Sequence, residues 1–235
     1  MKNVIMIHLF VFVVFSNLFS QEPRILEDAT VITNEMVSTT NIPEAMEAYN
    51  IGTNLLKQNN YKEAEEYFLK AIELDIKFVD AMDHLGIVYR NLNRYEDAEI
   101  WYLRSIEMNS NNLTPYINLG IVYRLQGRIE DARQIYLRAQ KIDPSDPEPY
   151  FGIGVLYQLV GQYSISIDFI KIAIGIYSER KSVLLLCGAM YVQGNNYYYL
   201  EEYEEALKYY KVALLGYPDN NEIQNKIIEI EENLK

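Results

Sequence analysis

In 235 residues the chain carries 33 acidic against 21 basic side chains, a formal net charge of −12, with two histidines and one cysteine. That balance argues against nucleic acid as a ligand, because an acidic surface repels phosphates. One cysteine rules out an internal disulfide, and so few histidines leave little for multi-imidazole metal sites or histidine-based catalytic triads.

The N-terminus reads as a targeting segment. Met1-Lys2-Asn3 is a short basic start, residues 4–15 are apolar except for His8, and residues 16–20 offer small residues for cleavage before Gln21. This is the pattern of a secretory signal peptide over residues 1–20, which implies export to a periplasm, a secretory pathway or the exterior. The alternative is an uncleaved membrane anchor formed by residues 4–19, since Leu18 and Phe19 extend an apolar run that is otherwise short of the roughly 18 residues a span wants. Cleavage removes Lys2 and no acid, leaving 20 basic and 33 acidic side chains, a net −13. Residues 21–43, rich in Ser and Thr with little helical periodicity, read as a flexible tether.

Beyond the tether, glycine recurs at Gly52, Gly86, Gly120 and Gly154, a step of 34 residues held three times. A period of that length is the mark of stacked helical hairpins, each burying its apolar face against the next. Other positions recur with the glycines. Three residues on come Leu55, Tyr89, Tyr123 and Tyr157; twelve on, Ala64, Ala98, Ala132 and Ser166; sixteen on, Phe68, Tyr102, Tyr136 and Ile170. These are helix-spaced apolar positions in two runs, a helix A and a helix B. Gln58-Asn59-Asn60, Leu92-Asn93-Arg94, Gln126-Gly127-Arg128 and Val160-Gly161-Gln162 are the turns between them. Thr114-Pro115 and Asp146-Pro147 place an N-cap oxygen before a proline at the first helical position.

This pattern resembles the tetratricopeptide repeat family, whose aromatic-x2-Leu-Gly-x2-Tyr…Ala-x3-Phe…Ala…Pro signature stands almost complete in residues 116–144. The fold expected is all-α: a right-handed α-solenoid of about five tandem helix-turn-helix repeats with a C-terminal capping helix. Four repeats fall at 45–78, 79–112, 113–146 and 147–180. The fifth is displaced to 187–220, because Gly194 rather than Gly188 is followed by Tyr197, Ala206, Tyr210, Ala213 and Pro218 at the proper offsets. Residues 181–186 are then an insertion that lengthens helix B of repeat four or helix A of repeat five. The cap helix lies within 219–235, with Ile223, Ile227, Ile230 and Leu234 on one stripe. The whole repeat domain spans 44–235.

Little in the chain promises catalysis, a metal or a cofactor. His84 lies in helix A of repeat two beside Leu85-Gly86 and reads as a packing or surface residue. Gly152-Ile153-Gly154 lacks the third glycine and the preceding strand of a dinucleotide loop. Acidic pairs such as Glu65-Glu66 and Glu204-Glu205 read as a solvated face, with Glu66 and Glu204 four residues before Lys70 and Lys208. Cys187 reads as a small buried residue.

In the family resembled, the second, fifth, ninth, twelfth and thirteenth places of each unit face a concave groove. The resemblance therefore implies a groove with Tyr49, Asp83, Ile117, Phe151 and Tyr191 at the fifth places and Ile87, Ile121, Val155 and Asn195 at the ninth. The twelfth places hold Arg90, Arg124, Gln158 and Tyr198. The floor is aliphatic and aromatic, and Gly-Ile-Val-Tyr-Arg at 86–90 and again at 120–124 stacks Arg90 and Arg124 on neighbouring repeats. Two guanidiniums suit a carboxylate of a bound segment, unless Asp83 or nearby glutamates neutralise them internally. Tyr197 reads as packing, and Tyr198 and Tyr199 fall toward the groove. Some family members clamp chaperone tails through Lys, Asn and Arg; the corresponding residues here are Tyr49, Thr53, His84, Thr114 and Asn118, so that clamp is absent.

The function expected is an exported protein-protein interaction scaffold that holds a peptide segment or a helix of a protein partner in its groove. Behind it stand a structural subunit of an envelope or secretion assembly and, last, an enzyme working through surface carboxylates.

Overall fold

The computed structural model describes residues 40–234. The signal peptide and anchor read at 1–20 and the tether up to residue 39 lie outside the described residues. Within them eleven helices succeed one another: α1 (Pro43–Lys57), α2 (Tyr61–Leu74), α3 (Val79–Asn91), α4 (Tyr95–Met108), α5 (Leu113–Leu125), α6 (Ile129–Ile142), α7 (Pro147–Leu159), α8 (Tyr163–Glu179), α9 (Val183–Tyr199), α10 (Tyr203–Gly216) and α11 (Asn221–Asn233). They form five antiparallel hairpins and a closing helix. Each odd-numbered helix, the A helix of its unit, also touches the A helix of the following unit, whereas successive B helices make at most marginal contact. The A helices therefore line the inner side of the α-solenoid and the B helices its outer side.

The repeated glycines are the points where A and B meet. A Cβ built on Gly52 would lie 2.9 Å from Phe68, on Gly86 2.5 Å from Tyr102, on Gly120 2.5 Å from Tyr136, on Gly154 2.6 Å from Ile170 and on Gly194 2.7 Å from Tyr210. Each ring or branched side chain thus lies flat on bare backbone, at the close packing cores require. Ala64, Ala98, Ala132, Ser166 and Ala206 are fully buried on the B side of the same contact. Ser166, standing where the other units have alanine, donates to the Gly154 carbonyl at 2.7 Å and accepts from Asn196 at 2.8 Å, so its hydroxyl is satisfied. Gly152, with no strand before it, serves packing instead: its missing Cβ would meet the Tyr136 ring at 2.5 Å from the other side.

Every A-to-B turn passes through a left-handed residue: Asn59, Asn93, Gly127, Gly161 and Glu201, with φ of 59°, 57°, 71°, 75° and 62°. The following amide bonds back across the turn, as Arg94 N–H to the Tyr89 carbonyl at 2.8 Å, which is the Schellman closure of a helix C-terminus. Glycine and asparagine tolerate that conformation; glutamate is held there against its preference. Glu201→Gly is expected to stabilise the protein by about 0.5–1 kcal/mol, the strain relieved exceeding the added chain entropy. An unchanged or lowered melting temperature would show that the turn is unstrained.

Helix starts divide the two proline readings. Asp146 caps α7 as expected, accepting the Glu148 N–H at 2.9 Å with Pro147 in the first turn. The cap of α5 is Asn112 rather than Thr114: its side chain accepts from the Thr114 N–H at 3.2 Å and the helix begins at Leu113. Proline fits anywhere in a first turn, where amides lack intrahelical acceptors, so Pro115 does not mark the first helical residue. The extra residues near 181–186 are shared by both helices. α8 and α9 each have 17 residues, where the other B helices have 14 and the A helices after α1 have 13. The connection between them, at 180–182, is one residue shorter than its counterparts. Cys187 packs beneath Gly216, whose added Cβ would lie 2.6 Å from the cysteine Cβ, and burial pushes its thiol up from the ordinary value.

Candidate functional site: the inner face of the A helices

The middle of the inner face is tightly packed. α3 is buried at every position from Val79 to Arg90, and α5 is buried from Pro115 to Gly120 and from Val122 to Arg124. Of the groove residues expected from the sequence, Ile87, Ile117 and Val155 are buried at 3%, 2% and 3% exposure, while Ile121 and Phe151 are half-buried. Three residues separate Ile87 from Arg90 and Ile121 from Arg124, so each arginine stands one turn beyond an isoleucine on the same helix face. Both guanidiniums are buried as well, at 6% and 4% exposure, and Arg90 donates to Asn118 Oδ1 across the α3–α5 contact at 3.2 Å.

The remaining expected residues are held by neighbouring helices, some across A helices and some within their own hairpin. Tyr49, buried, packs its ring on Phe68 and Phe78 and brings its hydroxyl to 3.4 Å from His84 Nδ1. His84 in turn lies 2.9 Å from the Asp80 carbonyl, and burial lowers its proton affinity, so it is a neutral packed ring rather than a base poised for solvent. Gln158 on α7 donates to the Val192 carbonyl at 2.9 Å and to Asn196 Oδ1 at 2.7 Å on α9. Tyr191 and Tyr198 are engaged by the closing helix: their hydroxyls donate to Glu222 and Glu229, each at 2.6 Å. Lys226 lies 3.9 Å above the Tyr198 ring, and the Glu229 hydrogen bond pushes the Tyr198 hydroxyl up to about 12. Asn195 accepts from Tyr210 at 2.7 Å, and Tyr199 stacks on Tyr163 at 5.0 Å between centroids.

Two carboxyls stand out. Asp83 on α3 accepts from Asn112 Nδ2 at 2.8 Å, and burial pushes it up to about 7. Glu148 on α7 accepts from the Tyr177 hydroxyl at 2.6 Å, and burial again dominates, raising it to about 7. Sequence reasoning placed Asp83 in the groove and passed over Glu148. Its position, the second of its unit, was a signal for the inner face, but nothing in the residues around it announces that Tyr177 would cover it. Among the described residues no three His, Cys, Asp or Glu side chains gather as a metal-ligand set, and no helix is long and apolar enough to cross a membrane.

Family comparison agrees with this architecture. Models of the tetratricopeptide repeat match residues 44–111 and 101–134, and a further TPR-repeat model matches 122–161, together running without a gap over half of the chain. No curated protein matches the sequence. Among solved structures, a thermophilic TPR protein of Thermus thermophilus superposes with a TM-score of 0.65 at 17% identity, covering 79% of this chain and 98% of its own. PilF of Pseudomonas aeruginosa gives 0.71 at 19% identity, covering 81% and 84%. A chain of the APC/C hetero-tetramer Cut9–Hcn1 gives 0.73 at 19% identity, covering 82% of this chain and 37% of that one. With the 34-residue step, the glycine-to-ring contacts and the stacked A helices all in place, the chain belongs to the tetratricopeptide repeat family.

Proposed function

We propose that the protein is an exported scaffold that holds a peptide segment or a helix of a protein partner along the inner face of its A helices. The observation that carries this reading is the row of Ile87, Ile121 and Val155 with Arg90 and Arg124 one turn beyond, apolar side chains beside two cations on successive units, of which Ile121 is half-buried and the others are buried in the unbound chain. Such a surface recognises an extended or helical segment by apolar anchors and fixes its register through a carboxylate. The repeat architecture supports a protein partner, since the family works as interaction scaffolds. The N-terminal segment supports export.

The test is crosslinking and co-purification from native extracts, comparing the parent with an Arg90→Gln, Arg124→Gln variant. Glutamine is chosen because both guanidiniums are buried, where a glutamate would leave an uncompensated charge. With circular dichroism showing equal helicity, the variant is expected to lose the captured partner. Partners retained equally by the folded variant would overturn the groove assignment. They would favour the second reading, a structural subunit of an envelope or secretion assembly. That reading draws on the exposed aliphatic residues Val183, Leu184 and Leu215, at 66%, 58% and 81% exposure.

A further inference from the structure

The outer face of α8 is unlike that of the B helices before it. Glu63, Asp97 and Asp131 hold one outward place in the first three units, Lys70, Arg104 and Arg138 a second, and Glu73, Glu107 and Lys141 a third; the fourth unit has Ile165, Ile172 and Gly175 there. Ile165 and Ile172 are 42% and 45% exposed. Gly175 is exposed too, and a Cβ built on it would meet nothing within 4 Å, so unlike the glycines that seat Phe68, Tyr102 and Tyr136 it receives no side chain of its own chain. Glycine inside a helix is destabilising relative to alanine, and its use here is accounted for by a surface that lies on it from outside. The next B helix, α10, continues the apolar side with Val212 and Leu215, 37% and 81% exposed.

Ile165, Asp168, Ile172 and Gly175 follow one another by three, four and three residues, the spacing of a single helix stripe. The stripe is symmetric about residue 170, beside the midpoint of α8 (Tyr163–Glu179): Ile165 and Gly175 are equally far from it, and so are Asp168 and Ile172. A second α8 laid antiparallel across that point sets each Ile165 on the Gly175 of the other copy, and each Asp168 against the Ile172 of the other copy and beside its Lys171. Two Asp168–Lys171 ion pairs then form across the twofold axis. Both residues are exposed, and neither makes an ion pair among the described residues, whereas Arg133 on α6 pairs with Glu130 and Lys211 on α10 with Glu231. A parallel copy would set Asp168 against Asp168, which repels, and glycine against glycine, which leaves a gap. A surface that matches itself about one point is what an isologous contact requires.

We propose that the protein pairs with a second copy of itself through the outer face of α8, the two helices antiparallel and crossing at residue 170. The inner face of the A helices takes no part, so this contact stands or falls independently of the partner held there.

The test is sedimentation equilibrium on the full chain, with directed disulfide crosslinking. The parent is expected to dimerise reversibly. The variant Ile165→Asp, Ile172→Arg, Gly175→Lys gives α8 the residues that α6 carries as Asp131, Arg138 and Lys141, so the fold is expected to accept it, and its dimer dissociation constant to rise at least about tenfold. Lys171→Asp is expected to weaken the dimer, and Asp168→Lys added to it to restore part of the loss, because the charges are exchanged rather than removed. Mild oxidation of an equal mixture of the Ile165→Cys and Gly175→Cys variants is expected to give the mixed disulfide in preference to either homodisulfide, since like positions stand about 15 Å apart along antiparallel helices; Cys187 is buried and takes no part. A parent that stays monomeric up to about 1 mM overturns the proposal, and so does a three-residue variant that is folded by circular dichroism yet dimerises as tightly as the parent. Homodisulfides in preference to the mixed one overturn the antiparallel crossing. If the three-residue variant does not fold, the crosslink decides alone, and absence of the mixed disulfide overturns the contact.

Discussion

Gly120→Ala and Gly152→Ala are each expected to destabilise the protein by about 1–3 kcal/mol, because each adds a methyl where a ring already lies. The added carbon would be 2.5 Å from Tyr136 Cε1 and Cζ at Gly120, and 2.5 Å from Tyr136 Cζ at Gly152. One ring is pressed between two glycines sixteen residues before and after it, so it cannot retreat from one without striking the other. The effect reads as a fall of several degrees in melting temperature. Tyr136→Phe is not expected to rescue either variant, since the atoms in conflict are ring carbons, whereas Tyr136→Leu should recover part of the loss. An unchanged melting temperature for both alanine variants would refute the assignment of these contacts as the close-packed joints of the array.

Stability should also depend on pH in a direction uncommon for an acidic protein's carboxyls. Asp83 and Glu148 are both raised to about 7 by burial, while in the unfolded chain they titrate near the ordinary value of about 4. Between those values the native state holds more protons than the unfolded one, so stability falls as pH rises through that window and levels off above it. Each carboxyl contributes a slope approaching about 1.4 kcal/mol per pH unit there. The melting temperature is expected to be higher at pH 5 than at pH 7.5. The general repulsion of a chain at −12 acts in the same direction, so the deciding comparison is the Asp83→Asn, Glu148→Gln variant. A slope as steep as the parent's would show that these two sites do not carry it.

The fold was legible in the sequence because the contacts that define it are local and periodic. Gly86 and Tyr102, or Gly120 and Tyr136, stand sixteen residues apart because a hairpin of two short helices brings those positions together. The inner face was legible only as a list of positions. Helical spacing tells which side Arg90 and Asp83 occupy, but not how deeply a neighbouring unit covers them; that depends on the tilt between units, which no single residue encodes. Tyr191 and Tyr198 illustrate the limit, since their partners Glu222 and Glu229 lie on α11, thirty-one residues away in each case. Gln158 is another: its bonds to Val192 and Asn196 cross the longer α8–α9 pair, whose insertion disrupts the 34-residue arithmetic. The N-cap of α5 was displaced by the freedom of proline within a first turn.

The unequal helix lengths divide the array into a regular and an irregular part. From α1 to the start of α8 each unit repeats at the same step, so a whole hairpin copied or lost between residues 112 and 113 would leave every glycine facing its ring. Across α8 and α9 the step lengthens, yet Gly194 still meets Tyr210 sixteen residues on, because that contact lies within one hairpin. The hairpins are thus self-contained cassettes, and what sets the α8–α9 joint apart is the length of its two helices rather than the contact inside either hairpin.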